Sequence, residues 1–143
     1  MDHSSQCGVL VVEGNDDLRD LCVSLFHTEG YEALGAEDGE TAMRVLRAEH
    51  ARIGAVVLDL RLPASDGPSF LRVKAEDPEV ASIPVILISA RIDAADAQST
   101  PDVKSVVPKP IPIPTMPSEV LQWPACLVEL RDAVRMHGRS TPI

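Results

Sequence analysis

The 143 residues are one domain's worth of chain, enough to bury about 68–70% of the unfolded surface around a single core. With 45% hydrophobic residues but only one Trp, one Tyr and two Phe, that core has to be aliphatic, which suits a parallel sheet covered by helices. A formal charge of −9, with no dense Lys/Arg cluster to reverse it locally, excludes direct binding to a nucleic-acid backbone.

In chain order, Val9 to Val12 is the first apolar run and ends at Glu13. Leu18, Leu21, Cys22, Leu25 and Phe26 recur at helical spacing, which predicts a helix beginning near Asn15 or Asp16 and ending at Gly30. Tyr31 to Ala36 is a short second strand, and Asp38-Gly39 opens a helix carrying Ala42, Val45, Leu46 and Glu49. A third strand starts at about Gly54, runs through Ala55-Val56-Val57-Leu58 and ends at Asp59, before the turn-rich stretch Leu60 to Gly67. Pro68 sits near the start of a third helix, marked by Phe70, Leu71 and Ala75 and closed by Pro78. Ile83 to Ile88 is the fourth strand, with Pro84 near its first residue as proline requires, and it reaches Ser89.

Arg91 to Thr100, rich in Ala and Asp, predicts a short, polar, loosely docked fourth helix. Val106-Val107-Pro108 then reaches Lys109 and leads into a proline strip, Pro108 to Pro117, which excludes helix and favours an extended, polyproline-like path. The last helix is placed at about residues 123–137, with Leu127, Leu130 and Val134 facing inward, and Arg139 to Ile143 is expected to fray. Alternating strands and helices predict an α/β fold with a parallel sheet and right-handed crossovers.

Cys7, Cys22 and Cys126 are odd in number and scattered, as in a reduced cytosolic protein. Met1 to Gln6 has neither a basic nor an apolar signal region, and no apolar run approaches the roughly 18 residues of a membrane span. The expectation is a cytoplasmic chain with no membrane attachment. His3, His27, His50 and His137 lack the paired spacing of zinc ligands.

Glu13, Asp59, Ser89 and Lys109 thus all stand at strand ends, and open α/β sheets bind ligands outside the carboxyl ends of their strands. Asp59, at a strand tip, is expected to face solvent. The four side chains suit a phosphoryl group. An aspartate can accept phosphate as an acyl phosphate, and a hard cation held by carboxylates neutralises charge on the transferring group. A lysine supplies a point charge and a serine hydroxyl donates to a phosphate oxygen. The plainer readings are a turn cap for Asp59, a solvated charge for Lys109, an N-cap for Ser89 and a surface acid for Glu13. Asp16 and Asp17 read as caps of the first helix, favoured by its dipole.

Val11-Val12-Glu13-Gly14-Asn15 with Leu18-Arg19, Gly30-Tyr31-Glu32, Ala36-Glu37-Asp38-Gly39, Leu58-Asp59-Leu60-Arg61-Leu62-Pro63 with Asp66-Gly67, Ile88-Ser89-Ala90 and Lys109-Pro110 occur in a distinctive order and spacing. Together they resemble the receiver domain of bacterial two-component response regulators, over roughly Gly8 to Ile111. The resemblance implies one receiver domain, residues 1–143, with its core at about 8–111 and the proline-rich connection at 108–117. The implied fold is a flavodoxin-like, doubly wound sheet of five parallel strands, order 2-1-3-4-5, with helices on both faces. Asp59 looks like the phosphoacceptor, Lys109 like the phosphate-contacting lysine and Ser89 like the switch hydroxyl. Glu13, Asp59 and the backbone carbonyl of Arg61 look like the magnesium ligands. The implied partners are a sensor histidine kinase or phosphotransfer protein and a downstream protein; a homodimer is compatible with the resemblance, and enzymatic activity is not implied.

Three departures stand out. Gly14 occupies the place of the family's second acid, which should weaken magnesium binding by at least roughly 10–100-fold. Val106 replaces the aromatic switch residue, and the polar fourth helix and proline strip alter the usual signalling face. The sequence therefore supports a phosphorylation switch first. The alternative is a phosphorylation-independent pseudo-receiver that binds a protein through the last strand, the proline strip and the final helix.

Overall fold

The computed structural model describes residues 8–59, 66–89, 103–108 and 128–138. In chain order these form β1 (Gly8–Val12), α1 (Asp16–Thr28), β2 (Glu32–Ala36), α2 (Gly39–Glu49), β3 (Ile53–Asp59), α3 (Asp66–Glu76), β4 (Val85–Ser89), β5 (Val103–Pro108) and α4 (Val128–His137). Every ladder is parallel and the strand order is β2-β1-β3-β4-β5. This is the doubly wound sheet expected from the sequence.

β1, β3 and β4 are buried on both faces, so their sequences run continuously apolar instead of alternating. Leu10, Val12, Val56, Leu58, Val85 and Leu87 pack on one face with Ala42, Met43 and Leu46 of α2 and Phe70 and Leu71 of α3. Val9, Val11, Ala55, Val57, Ile86 and Ile88 pack on the other with Leu18, Cys22, Leu25 and Phe26 of α1 and Leu130 and Val134 of α4. The period of two along each strand thus sorts the core into two layers. Between Gly8 and Val9 the register of β1 on β3 slips by one residue: Gly8 pairs with Ile53 and Val9 with Ala55.

Local chemistry sets the element ends. Asn15 caps α1 by accepting from the Leu18 N–H at 2.9 Å, and Asp38 caps α2 by accepting from the Thr41 N–H at 2.8 Å. Gly30, with φ 92°, turns the chain out of α1 in the left-handed region. Tyr31 then packs edge-on against Phe26, ring centroids 5.6 Å apart, and β2 begins one residue later than the pattern suggested. Likewise β4 opens at Val85, after Pro84, whose carbonyl accepts from the Val56 N–H at 2.9 Å.

On α3 the inward set differs from the expected stripe, because Ala75 is exposed and Lys74 is fully buried. Its long apolar stem follows Phe70 by one helical turn and reaches the α3–β4 connection. The expected fourth helix, Arg61, Lys109, the proline strip beyond Pro108, the start of the final helix with Trp123 and Leu127, Cys7, Cys126 and the tail lie outside the described residues. No helix among the described residues is long and apolar enough to cross a membrane.

Candidate functional site

β1 and β3 are neighbours, and their ladder pairs Val12 with Leu58. The residues that follow them are Glu13, just past β1, and Asp59, the last of β3. The register thereby sets the two acids level with each other on the carboxyl edge of the sheet. Each residue is only 1% exposed, which corrects the expectation that Asp59 faces solvent. The reason is its position: β1 lies on one side and β4 on the other, where Asp59 pairs with Ile88. A strand tip in mid-sheet is walled by its neighbours, whereas one at the edge is not.

Glu13 is held by its surroundings. Its N–H donates to the Ala36 carbonyl at 3.0 Å, carrying the β1–β2 ladder one step past the strand. Its Oε2 accepts from the Asn15 N–H at 3.1 Å, and its backbone carbonyl accepts from Arg19 Nη1 at 2.9 Å. Arg19 Nη2 donates to Asp16 Oδ1 at 2.6 Å. The cap of α1 is Asn15, not Asp16 or Asp17; those two sit in the first turn, where the helix dipole favours them.

Ser89 is the last residue of β4 and pairs with Pro108, the last residue of β5. It stands one step beyond Ile88, the partner of Asp59. Lys109 is the residue after Pro108, and Arg61 the second after Asp59; both fall outside the described residues. Val106 lies within β5, opposite Leu87.

The donor set at this edge suits a magnesium ion in part. Glu13 and Asp59 supply hard oxygens at adjacent strand ends, and magnesium is commonly held by one or two carboxylates with water completing its shell. The two acids fit that chemistry. Gly14 is exposed and adds no donor, and Asp16 is engaged by Arg19. Among the described residues no group of three His, Cys, Asp or Glu side chains is arranged to hold a metal. The fit is therefore to a sparse site. A groove of about 750 Å³ between α2 and α3, lined by Met43, Arg44, Arg47, Phe70 and Val73 among others, includes neither carboxylate.

Two cations have no role assigned by the sequence pattern, Arg19 and Lys74. Arg19 enters the sequence pattern only beside Leu18, although a helical-wheel count puts it one turn after Asn15, beside the loop. Lys74 carries no signal in sequence except its place four residues after Phe70.

A family model for the response regulator receiver domain matches residues 9–120. Protein Rrf1 of Nitratidesulfovibrio vulgaris is 36% identical over 81 residues, 57% of this chain and 57% of Rrf1. The alkaline phosphatase synthesis transcriptional regulatory protein SphR of Synechococcus elongatus is 33% identical over 89 residues, 57% of this chain and 34% of SphR. The match thus takes in less than two thirds of either relative. Among solved structures, the response regulator receiver protein from Pseudomonas putida superposes with a TM-score of 0.73 at 24% identity, over 90% of this chain and 95% of that one. The phosphorylated cyanobacterial phytochrome response regulator RcpA superposes with a TM-score of 0.61 at 29% identity, over 72% of this chain and 80% of that one.

Proposed function

Because the chain belongs to the family of response regulator receiver domains, we propose that it is a phosphorylation switch of two-component signalling, with Asp59 as the phosphoacceptor. The observation that carries this reading is the juxtaposition of two buried carboxylates, Glu13 and Asp59, at register-matched ends of β1 and β3. A phosphohistidine of a sensor kinase or phosphotransfer protein is the donor. A carboxylate oxygen of Asp59 attacks the phosphorus, the P–N bond breaks, and the imidazole leaves with its electron pair while an acyl phosphate forms. Glu13, Asp59 and the Arg61 backbone carbonyl would hold magnesium, whose charge offsets that of the phosphoryl oxygens. Lys109 and Ser89 are proposed to contact the bound phosphoryl group and to pass its presence to a protein-binding face.

Incubation with magnesium and acetyl phosphate, read by intact mass, tests the proposal. One phosphoryl adduct is expected, and it should disappear in Asp59→Asn. An unmodified wild-type protein, or an adduct that persists in the variant, overturns it.

A second reading has its own support: no three metal-ligating side chains converge among the described residues, and Gly14 stands exposed where an acid would help. On that reading the protein is a pseudo-receiver that binds a partner independently of phosphate. It predicts no adduct under the same conditions and equal partner binding by the wild type and Asp59→Asn.

A further inference from the structure

We propose that Arg19 is a positioning residue for the acid pair, acting through the backbone of Glu13, and that Gly35 of β2 makes room for it. The inference rests on reading Glu13 and Asp59 as the phosphoryl site.

Beyond Val12 the chain must cross to Asn15, the cap of α1, through Gly14, which has no side chain to pack. Arg19, one turn into the helix, reaches back over this crossing. Its guanidinium holds two points at once: the Glu13 carbonyl through Nη1 at 2.9 Å and Asp16 Oδ1 through Nη2 at 2.6 Å. The two peptide units flanking Glu13 are thus each held, the first by the Ala36 carbonyl on the Glu13 N–H and the second by Arg19 on the Glu13 oxygen. With the peptide fixed and Oε2 turned back to the Asn15 N–H, the carboxylate has little freedom left. The arginine side chain is 17% exposed, against 75% for Asp16, so this is a mostly covered cation with a local task and not a solvated charge.

Gly35 supplies the second observation. An added Cβ there would stand 3.1 Å from Arg19 Cδ and 3.2 Å from Cγ. Glycine weakens a strand interior, and a place where another chain segment must approach closely is one of its recognised uses. Here the approaching segment is the arginine stem. A lysine cannot substitute, because its single ammonium lacks the planar fork that spans a carbonyl and a carboxylate. The same grip keeps Asp16 on α1 and away from the place that Gly14 leaves empty of acid.

Arg19→Lys and Gly35→Ala in the full chain provide the test, with two separate readouts. The first is amide hydrogen exchange at Gly14 and Asn15 against that at Val56 to Leu58. In Arg19→Lys the loop amides should exchange about tenfold faster, the equivalent of one charge-assisted hydrogen bond, while the strand amides keep their rates. Gly35→Ala, which disturbs only the stem, should give a smaller change in the same amides. The second readout is magnesium affinity by calorimetry, expected to fall several-fold in both variants. Unchanged loop exchange overturns the proposal, as does an equal acceleration of strand amides, which would mark general loosening. If wild-type protein takes neither magnesium nor a phosphoryl group, the phosphoacceptor reading fails, and the exchange ratio still decides whether Arg19 holds Glu13.

Discussion

Lys74 Nζ donates to the carbonyl oxygen of Ala81 at 2.9 Å, with the whole lysine side chain withdrawn from water. The bond ties α3 to the connection that leads into β4. A charge in such a place is tolerated only when it is hydrogen-bonded. Lys74→Ala removes both the packing stem and the donor, and should destabilise the fold by about 2–5 kcal/mol. Lys74→Met keeps the volume but leaves the carbonyl without this donor, so its loss should be smaller, about 1–3 kcal/mol. Urea unfolding of both variants checks the order; equal losses would mean that the stem contributes nothing.

Gly14→Asp should strengthen magnesium binding. The residue is exposed, and among the described glycines positive φ occurs at Gly30, so position 14 does not demand the left-handed region. A carboxylate added beside Glu13 should raise affinity by roughly 10–100-fold, read by calorimetry. No gain would remove the account of the pocket as one acid short.

Gly30→Ala tests the turn between α1 and β2. Its φ of 92° places a Cβ against the following carbonyl, at a cost of about 1–2 kcal/mol. Thermal unfolding should register the loss while the acyl phosphate chemistry stays as in wild type.

Acid should weaken the fold through two aspartates. The Thr41 backbone N–H, and then the Thr41 side chain, hold Asp38 below the ordinary carboxylate range. The Arg47 guanidinium, with Nε 2.9 Å from Oδ2, does the same for Asp77, aided by the Glu79 N–H. Both pKa values are lower in the folded than in the unfolded chain, so the contribution is present above the unfolded value of about 4 and is lost as pH falls through the folded values. Asp38→Asn still caps α2 but does not titrate. It and Asp77→Asn should therefore flatten the fall in melting temperature between about pH 4 and more acid conditions. Salt should reduce the Asp77 part more, since that pair is partly exposed.

The fold was legible because its signals are local and redundant: continuous apolar runs for central strands, helical stripes such as Leu18-Cys22-Leu25, and the helix start at Asp38-Gly39, whereas the cap of α1 falls on Asn15 and not on the acids that follow it. The acids at the ends of β1 and β3 were legible for the same reason. Two features were not. The burial of Asp59 depends on which strands lie beside it, a property of sheet order that a single run does not encode. Arg19 and Lys74 carry no local signal of their roles, because the groups they meet, a glycine on β2 in one case and a carbonyl beyond α3 in the other, lie elsewhere in the chain.

The slip between β1 and β3 decides which side chain meets Glu13. The ladder passes over Gly54 as it goes from the Gly8–Ile53 pair to the Val9–Ala55 pair. Without that offset every later partner would move back by one, and Glu13 would face Leu58 instead of Asp59. Gly8 permits the crowding at the slip, where a Cβ would lie 2.5 Å from the Arg52 carbonyl oxygen. One surplus residue at the amino end of the sheet is therefore the address of the acid at its carboxyl end: were Val9 to pair with Gly54 in place of Ala55, apolar Leu58 would stand where the phosphoryl chemistry needs a carboxylate.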